Sequence, residues 1–251
     1  MAIASEIKLC IGLLTRLKVS FDPNEPVATL TSACRWFPLI GVLVGALSGA
    51  ALFIGEFLDL PESVTAMLAI AVSVVLTGAM HEDGLADVAD GFGGGKNRDQ
   101  KLEIMRDSRL GVYGTLALII DTALRWALLT QLLTLGWLFA AGCLIAAGAS
   151  SRLVTLSLMK SLPAARSNGL GASTGTPETT AVFTALSIAF LAVLPLKDSS
   201  LLIAIGISVA VAVGTIHWLA KTQIGGQTGD VLGAGQRIGE TLALLCLVVV
   251  S

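Results

Sequence analysis

Four carboxylates fall within nine residues of the sequence, in the segment 82–90. If this segment is a helix, which turns about 100° per residue, Asp83, Asp87 and Asp90 share an arc of about 60°. Like charges on one face repel each other unless a cation lies between them. Magnesium prefers oxygen ligands and keeps water positions that a phosphate can take. The pattern therefore predicts a magnesium site on these three aspartates, with a solvated acidic helix end as the alternative.

Basic residues follow the acidic segment along the chain. Arg106 and Arg109 lie one helical step apart and could hold anionic oxygens. Asp107, between them, could be a further metal ligand or their ion-pair partner, and both arginines could instead anchor the next span at the membrane surface. His81, just before the acidic segment, could orient a carboxylate or a phosphate, or could be an ordinary buried polar residue.

A second cluster lies near the C-terminus, where four glycines accompany Asp230 over residues 225–233. Glycines allow a backbone to approach a ligand closely, and a helix start favours anions. Asp230 could act on such a ligand or could cap the helix. Within apolar segments, Asp121 and Arg125 have the spacing to pair on one helix, whereas Arg152 has no partner nearby in the sequence. Arg152 could therefore face an anionic substrate.

The elements that carry these residues are predicted to lie in a membrane. Of 251 residues, 54% are hydrophobic and 14% are charged, and the mean hydropathy is +0.83. A soluble domain carries about a quarter charged residues. The net charge of -2 excludes a nucleic-acid binder that works through bulk positive charge, and four cysteines without CxxC spacing predict neither a disulfide framework nor a zinc site. The composition predicts an all-α, polytopic integral membrane helix bundle in contact with the lipid bilayer.

Six apolar segments are long enough to cross a bilayer, which takes about 20 residues. A seventh segment, 241–251, is short. Before the first span, apolar residues recur on one helical face from Ile3 to Leu17, which predicts an N-terminal interfacial helix. Gly41, Gly45 and Gly49 are spaced four apart, which favours a close helix contact. The chain is therefore predicted to be one domain, 1–251, with six to seven transmembrane helices. The six segments are 36–55, 63–80, 110–135, 137–159, 179–196 and 199–220.

The basic residues predict the orientation. Thirteen of the fourteen Lys and Arg residues outside the spans lie on one side, and only Lys197 lies on the other. Positive charge marks the cytoplasmic side. The long connections near 80–109, 160–178 and 221–240 are all on that side, so we expect the functional loops and the N-terminus to be cytoplasmic, in a bacterial inner membrane. A homo-oligomer is possible.

Several ordered motifs resemble the adenosylcobinamide-GDP ribazoletransferase family, also called cobalamin-5′-phosphate synthases. The resemblance covers nearly the whole chain. Glu82 departs from it, since an apolar residue is expected there. The motifs are LTR at 14–16, FPLIG at 37–41, HEDGLADVADG at 81–91, LEIMRDSRLG at 102–111, GGQTGDVLGA at 225–234, and Glu240.

The resemblance implies a magnesium-dependent step late in cobalamin (vitamin B12) biosynthesis. Adenosylcobinamide-GDP would donate its phosphoadenosylcobinamide group to the 5′-hydroxyl of α-ribazole or α-ribazole 5′-phosphate, and GMP would leave. Asp83, Asp87 and Asp90 would hold Mg²⁺, and Asp87 or Asp230 could accept the proton of the hydroxyl. The implied substrate-binding residues are His81, Arg106, Asp107, Ser108, Arg109, Arg152 and Gln227.

Two other classes stay open. One is another membrane transferase of diphosphate substrates, either a CDP-alcohol phosphotransferase or a prenyltransferase; the CDP-alcohol pattern has an arginine where this chain has Asp87. The other is a cation-coupled transporter, with the carboxylates as its ion site. Transporter sites usually lie near the middle of the membrane, whereas this acidic segment lies at the edge of a span.

Overall fold

The computed structural model describes residues 2–21, 28–167, 169 and 175–251. These residues form α-helices and short 3₁₀ turns, and the only extended pairing among them is an isolated bridge between Ala164 and Gln227. The α-helices are α1 (Ala2–Leu14), α2 (Leu30–Ala33), α3 (Phe37–Phe57), α4 (Glu62–Thr77), α5 (Met80–Gly94), α6 (Arg98–Ile104), α7 (Val112–Leu133), α8 (Trp137–Ser161), α9 (Thr179–Val193), α10 (Ser199–Gln223) and α11 (Gly229–Val250).

Six spans within the described ranges are long and apolar enough to cross a membrane. Helices α2 and α3 form one of them together, and α7 to α11 provide the other five. Helix α4 has 16 residues and meets the criterion only jointly with α5, from which it is bent by 88°. The predicted all-α membrane bundle with six to seven transmembrane helices is thus confirmed.

Small residues join α3 to α8 at the centre of the bundle. A Cβ atom at Gly45 would lie 2.6 Å from the Cα of Ile145, and one at Gly49 would lie 2.9 Å from the Cβ of Ala141. At Gly41 the backbone of α8 leaves no room for a side chain at all. The close contact predicted from the glycine spacing is confirmed, and its partner is α8.

The last helix corrects the prediction for the C-terminal region. Residues 221–240 were expected to be a loop, followed by a short span over 241–251. Helix α11 instead runs without a break from Gly229 to Val250, so Arg237 and Glu240 lie within a membrane-spanning helix. The predicted loop at 80–109 likewise contains α5 and α6. The third predicted loop, 160–178, lies partly outside the described residues.

The break between α4 and α5 places the acidic segment at one end of the bundle. Helix α4 ends in Gly78, which has a φ of 65°, and Ala79 follows with a φ of 57°. Two successive left-handed residues turn the chain sharply, so α5 leaves the direction of α4. The segment just after α1 contacts this corner, because the backbone amide of Arg16 donates to the carbonyl oxygen of Leu76 at 2.7 Å. We call this end, where α5, α6 and the start of α11 meet, the site end.

Candidate active site

Glycines allow α5 and α11 to pack closely at the site end. A Cβ atom at Gly84 would lie 2.8 Å from the backbone oxygen of Asp230, which is closer than side chains tolerate. On α11, Gly233 faces the same contact, with its Cβ position 3.7 Å from the Cα of Gly84. This approach brings Asp230, in the first turn of α11, near Asp83 and Asp87 on α5. The acidic segment is helical, as the arc of its aspartates requires, and a carboxylate from a second helix joins its acidic face.

A cavity of about 190 Å³ lies among α1, α3, α5, α8 and α11, and we call it the central cavity. Its polar lining includes His81, Asp83, Arg152 and Asp230. Of these, His81 and Arg152 are buried, whereas Asp83 is exposed. Such a cavity can hold a ligand that has both charged and apolar parts. Its apolar wall contains Leu13, Leu14, Leu30, Phe37, Met80, Met159 and Leu232.

The carboxylates near the central cavity repel one another. Asp87 is half-buried on α5, which is bent away from α4 and is not one of the six spans. Burial, followed by the charges of Asp230, Asp83 and Asp90, raises the pKa of Asp87 to about 7. A divalent cation would relieve this repulsion. No three His, Cys, Asp or Glu side chains of the described residues are grouped tightly enough to form a complete metal site, so water or substrate oxygens would have to complete the ligands of a Mg²⁺ ion.

The carboxylate of Asp90 is held by backbone amides at the start of the next membrane-spanning helix. Its two carboxylate oxygens accept hydrogen bonds from the backbone amides of Gly111 (2.8 Å) and Gly114 (2.9 Å), at the start of α7. A Cβ atom at either glycine would collide with this carboxylate. Asp90 therefore fixes the N-terminus of α7 against α5. Its role as a magnesium ligand stays a prediction, and any metal there would share oxygens with these amides.

Six charged side chains form a buried network next to the central cavity. Glu240 makes ion pairs with three arginines: Arg237 at 2.9 Å, Arg125 at 3.3 Å and Arg152 at 3.5 Å. Three carboxylates balance three guanidinium groups, which permits charges to lie within a membrane protein. The network joins α5, α7, α8 and α11. Its members are Glu82, Asp121, Arg125, Arg152, Arg237 and Glu240.

The network corrects one expectation about membrane charges and gives Arg152 a partner. Asp121 contacts Arg237 at 3.3 Å, whereas Arg125 contacts Glu82 at 3.6 Å, so the predicted pair of Asp121 with Arg125 is wrong. Both side chains pair with residues of α11, Asp121 with Arg237 and Arg125 with Glu240, and Arg125 also reaches Glu82 on α5. Arg152, which has no partner nearby in the sequence, belongs to the network through Glu240 of another helix, and it also lines the central cavity. Its role as a substrate ligand stays a prediction.

The turn after α6 carries the remaining residues of the second motif. Arg109 donates to Asp107 at 2.6 Å, and its side chain is 88% exposed. Ser108 is exposed as well. These three residues lie outside the lining of the central cavity, so their binding role stays a prediction. Arg106 lines a separate cavity of about 640 Å³ at the same end of the bundle.

Backbone hydrogen bonds join the loop after α8 to the segment just before α11. The amide of Gln227 donates to the carbonyl of Pro163 at 2.8 Å, and the carbonyl of Gln227 accepts from the amide of Ala165 at 2.8 Å. This pairing places Arg166 beside Asp230, with 3.8 Å between guanidinium and carboxylate. The sequence gives no signal for Arg166, because a single arginine in a polar loop is typical of a solvated surface. The binding role of Gln227 stays a prediction.

The fold and site define a class of protein: a polytopic helical membrane protein in which carboxylates, a buried arginine and an apolar wall meet at one end of the bundle. Residues 6–248 match the family model described as cobalamin-5-phosphate synthase, so the chain belongs to that family. A late step of cobalamin biosynthesis, expected from the motifs, is confirmed as its function. The match does not favour the alternatives of a CDP-alcohol phosphotransferase, a prenyltransferase or a transporter.

Similar proteins named adenosylcobinamide-GDP ribazoletransferase occur in several bacteria. The protein of Azorhizobium caulinodans is 49% identical over 214 residues, which cover 83% of this chain and 80% of the relative. That of Mesorhizobium japonicum is 40% identical over 250 residues, covering 97% and 92%. That of Bradyrhizobium diazoefficiens is 39% identical over 245 residues, covering 97% and 93%. No solved structure matches the chain.

Proposed function

We propose that this chain catalyses the reaction after which its relatives are named. The phosphoadenosylcobinamide group of adenosylcobinamide-GDP would pass to a hydroxyl of α-ribazole or α-ribazole 5′-phosphate, and GMP would leave. One observation supports this most directly: carboxylates of two helices and the buried Arg152 line a cavity with an apolar wall. Transfer from a diphosphate depends on charge stabilisation and positioning more than on covalent catalysis, and such a site suits both.

The family description, which names a 5-phosphate product, restricts the acceptor oxygen. An oxygen that already carries a phosphate cannot attack the diphosphate. With a phosphorylated acceptor, the attacking group must therefore be another ribose hydroxyl, rather than the 5′-hydroxyl that the resemblance implied. Its oxygen forms a bond to the phosphorus attached to cobinamide while the bond from that phosphorus to GMP breaks. We assign its proton to Asp230, whose Oδ2 accepts a hydrogen bond from Thr228 at 3.1 Å.

The proposal includes a dependence on magnesium. Asp83 and Asp87 would hold the ion, because they share one face of α5 and because the neighbouring carboxylates repel Asp87. When bound, Mg²⁺ would neutralise diphosphate charge and stabilise the leaving GMP. Arg152, in the lining of the central cavity, would hold a substrate oxygen.

We also propose that the site end faces the cytoplasm across a bacterial inner membrane. The excess of Lys and Arg on that side supports this orientation. Nucleotide substrates would then reach the carboxylates directly from the cytoplasm.

The experiment is a transfer assay with purified protein in detergent. Adenosylcobinamide-GDP and α-ribazole 5′-phosphate are supplied with and without Mg²⁺, and GMP and the cobamide product are followed by mass spectrometry. We expect both products only with Mg²⁺, and Asp87→Asn should reduce the rate at least about 100-fold. Asp59→Asn is the matched control, since Asp59 is exposed, lies far from α5 in the sequence, and has a φ of 52° that asparagine tolerates. Folded protein that forms no product would refute the proposed function, and full activity in EDTA would refute the metal.

A further inference from the structure

The cavity of about 640 Å³ at the site end is lined by three arginines, and we call it the basic cavity. Arg98 builds its wall by donating to carbonyl oxygens at the end of α10 (3.0 Å) and in the loop after α8 (2.6 Å). It also contacts Asp99 at 3.4 Å, so these two charges offset each other. The exposed Glu103 lies on the same lining. The further basic groups of the cavity are Arg106 and Arg166.

Arg166 connects the basic cavity with the acidic site. One nitrogen of its guanidinium lies 3.8 Å from Asp230, another donates to the carbonyl of Leu102 at 2.8 Å, and its buried Nε has no hydrogen-bond partner among the described residues. Burial lowers the pKa of Arg166 below its usual value; Asp230 opposes this effect and Arg106 adds to it. Two guanidinium groups that line one cavity and repel each other favour an anion between them.

We propose that the basic cavity binds the 5′-phosphate of the acceptor nucleotide through Arg106 and Arg166, an inference that rests on the proposed function. A phosphomonoester carries two negative charges and several acceptor oxygens, which suit the forked donors of two arginines. Arg166 lines the basic cavity, and its guanidinium also lies 3.8 Å from the carboxylate of Asp230. An acceptor whose phosphate is held there has its ribose directed toward the carboxylates. The basic cavity thereby makes the enzyme select the phosphorylated acceptor over α-ribazole.

The test compares kcat/KM for α-ribazole 5′-phosphate and for α-ribazole at saturating adenosylcobinamide-GDP. Arg106→Gln removes an exposed guanidinium and should lower kcat/KM for the phosphorylated acceptor about tenfold or more, while that for α-ribazole changes less than about twofold. Arg166→Lys keeps the charge but loses the fork, so we expect an intermediate loss of the same selectivity. Lys221→Gln, an exposed basic residue outside the cavity lining, is the control and should leave both values unchanged.

Binding of the two acceptors to the wild-type protein without donor tests the same selectivity independently of turnover. Isothermal titration should show tighter binding of α-ribazole 5′-phosphate, and Arg106→Gln should abolish the difference. Equal binding of the two acceptors would overturn the proposal, as would an equal loss of kcat/KM for both in Arg106→Gln. A rise in KM for adenosylcobinamide-GDP alone would instead assign the basic cavity to the donor's guanosine diphosphate. Wild-type protein that binds selectively but forms no product would refute the proposed function and leave the phosphate site supported.

Discussion

Replacing Gly84 with alanine should separate the carboxylates of the site without removing any of them. The new Cβ would lie 2.8 Å from the backbone oxygen of Asp230, whereas ordinary contacts begin at 3.4 Å, so α5 and α11 would have to move apart by about 0.6 Å. Overpacking of this kind lowers the free energy of unfolding by about 1–3 kcal/mol. Because a misplacement of about 1 Å at a reacting centre can reduce the rate about 100-fold, we expect kcat to fall at least about tenfold.

Gly94→Ala is the matched control for this substitution. Gly94 lies on the same helix, but its Cβ would meet only Ile104, at an ordinary 3.5 Å. The assay is the initial rate of GMP release in detergent, and thermal unfolding of both variants is followed in the same detergent by circular dichroism. Full activity and unchanged stability of Gly84→Ala would refute the argument that this contact sets the spacing of the carboxylates. Equal losses in both variants would show that α5 is sensitive to any added methyl group.

Three further predictions concern the frame of the site. Gly45→Ala should lower the free energy of unfolding by about 1–3 kcal/mol, because its Cβ would lie 2.6 Å from the backbone of α8. Gly214→Ala is the control, since its Cβ would meet nothing within 4 Å, and it should not destabilise the protein. Glu240→Gln leaves three buried arginines with two carboxylates, so it should lower the free energy of unfolding by about 3–5 kcal/mol, measured by thermal or denaturant unfolding. A decrease below about 1 kcal/mol would contradict the network. A topology reporter fused after Asn97 should be cytoplasmic and one after Asp59 external, and the reverse result would contradict the proposed orientation.

The shared face of Asp83, Asp87 and Asp90 can be predicted from the sequence, because helical spacing is a property of one segment. It cannot predict which helix packs opposite. Asp121 and Arg125 illustrate this limit: their spacing on α7 allows a pair, but Arg237 and Glu82 on other helices are the partners. Arg166 is another example, since only the backbone pairing of its loop with Gln227, just before α11, brings it to Asp230. Site residues that share one motif can therefore be predicted from the sequence. Residues that another helix or loop brings to the site cannot.

The boundary of α11 could not be predicted for a related reason. A local hydropathy average counts the cost of removing each polar residue from water, whether or not that residue finds partners in the folded protein. Arg237 and Glu240 therefore make residues 221–240 resemble a surface loop. In the structure these two side chains lie 2.9 Å apart and contact further charges of α5, α7 and α8. With their charges balanced, the helix begins at Gly229 and still crosses the membrane.

The buried charge network and the contact at Gly84 both determine how the carboxylates of α5 and α11 face each other, but each sets a different part of that arrangement. Glu82 lies between His81 and Asp83 in the sequence, and it contacts Arg237 at 3.2 Å and Arg125 at 3.6 Å. These contacts fix the rotation of α5 about its axis, since a rotation of about 100° would carry Asp83 away from the central cavity and bring Glu82 toward it. Arg237 belongs to the same helix as Asp230, so the rotation is fixed relative to the opposing carboxylate. The close contact of α5 with α11 sets the distance between the carboxylates, and Glu82 determines which side chains face each other across it.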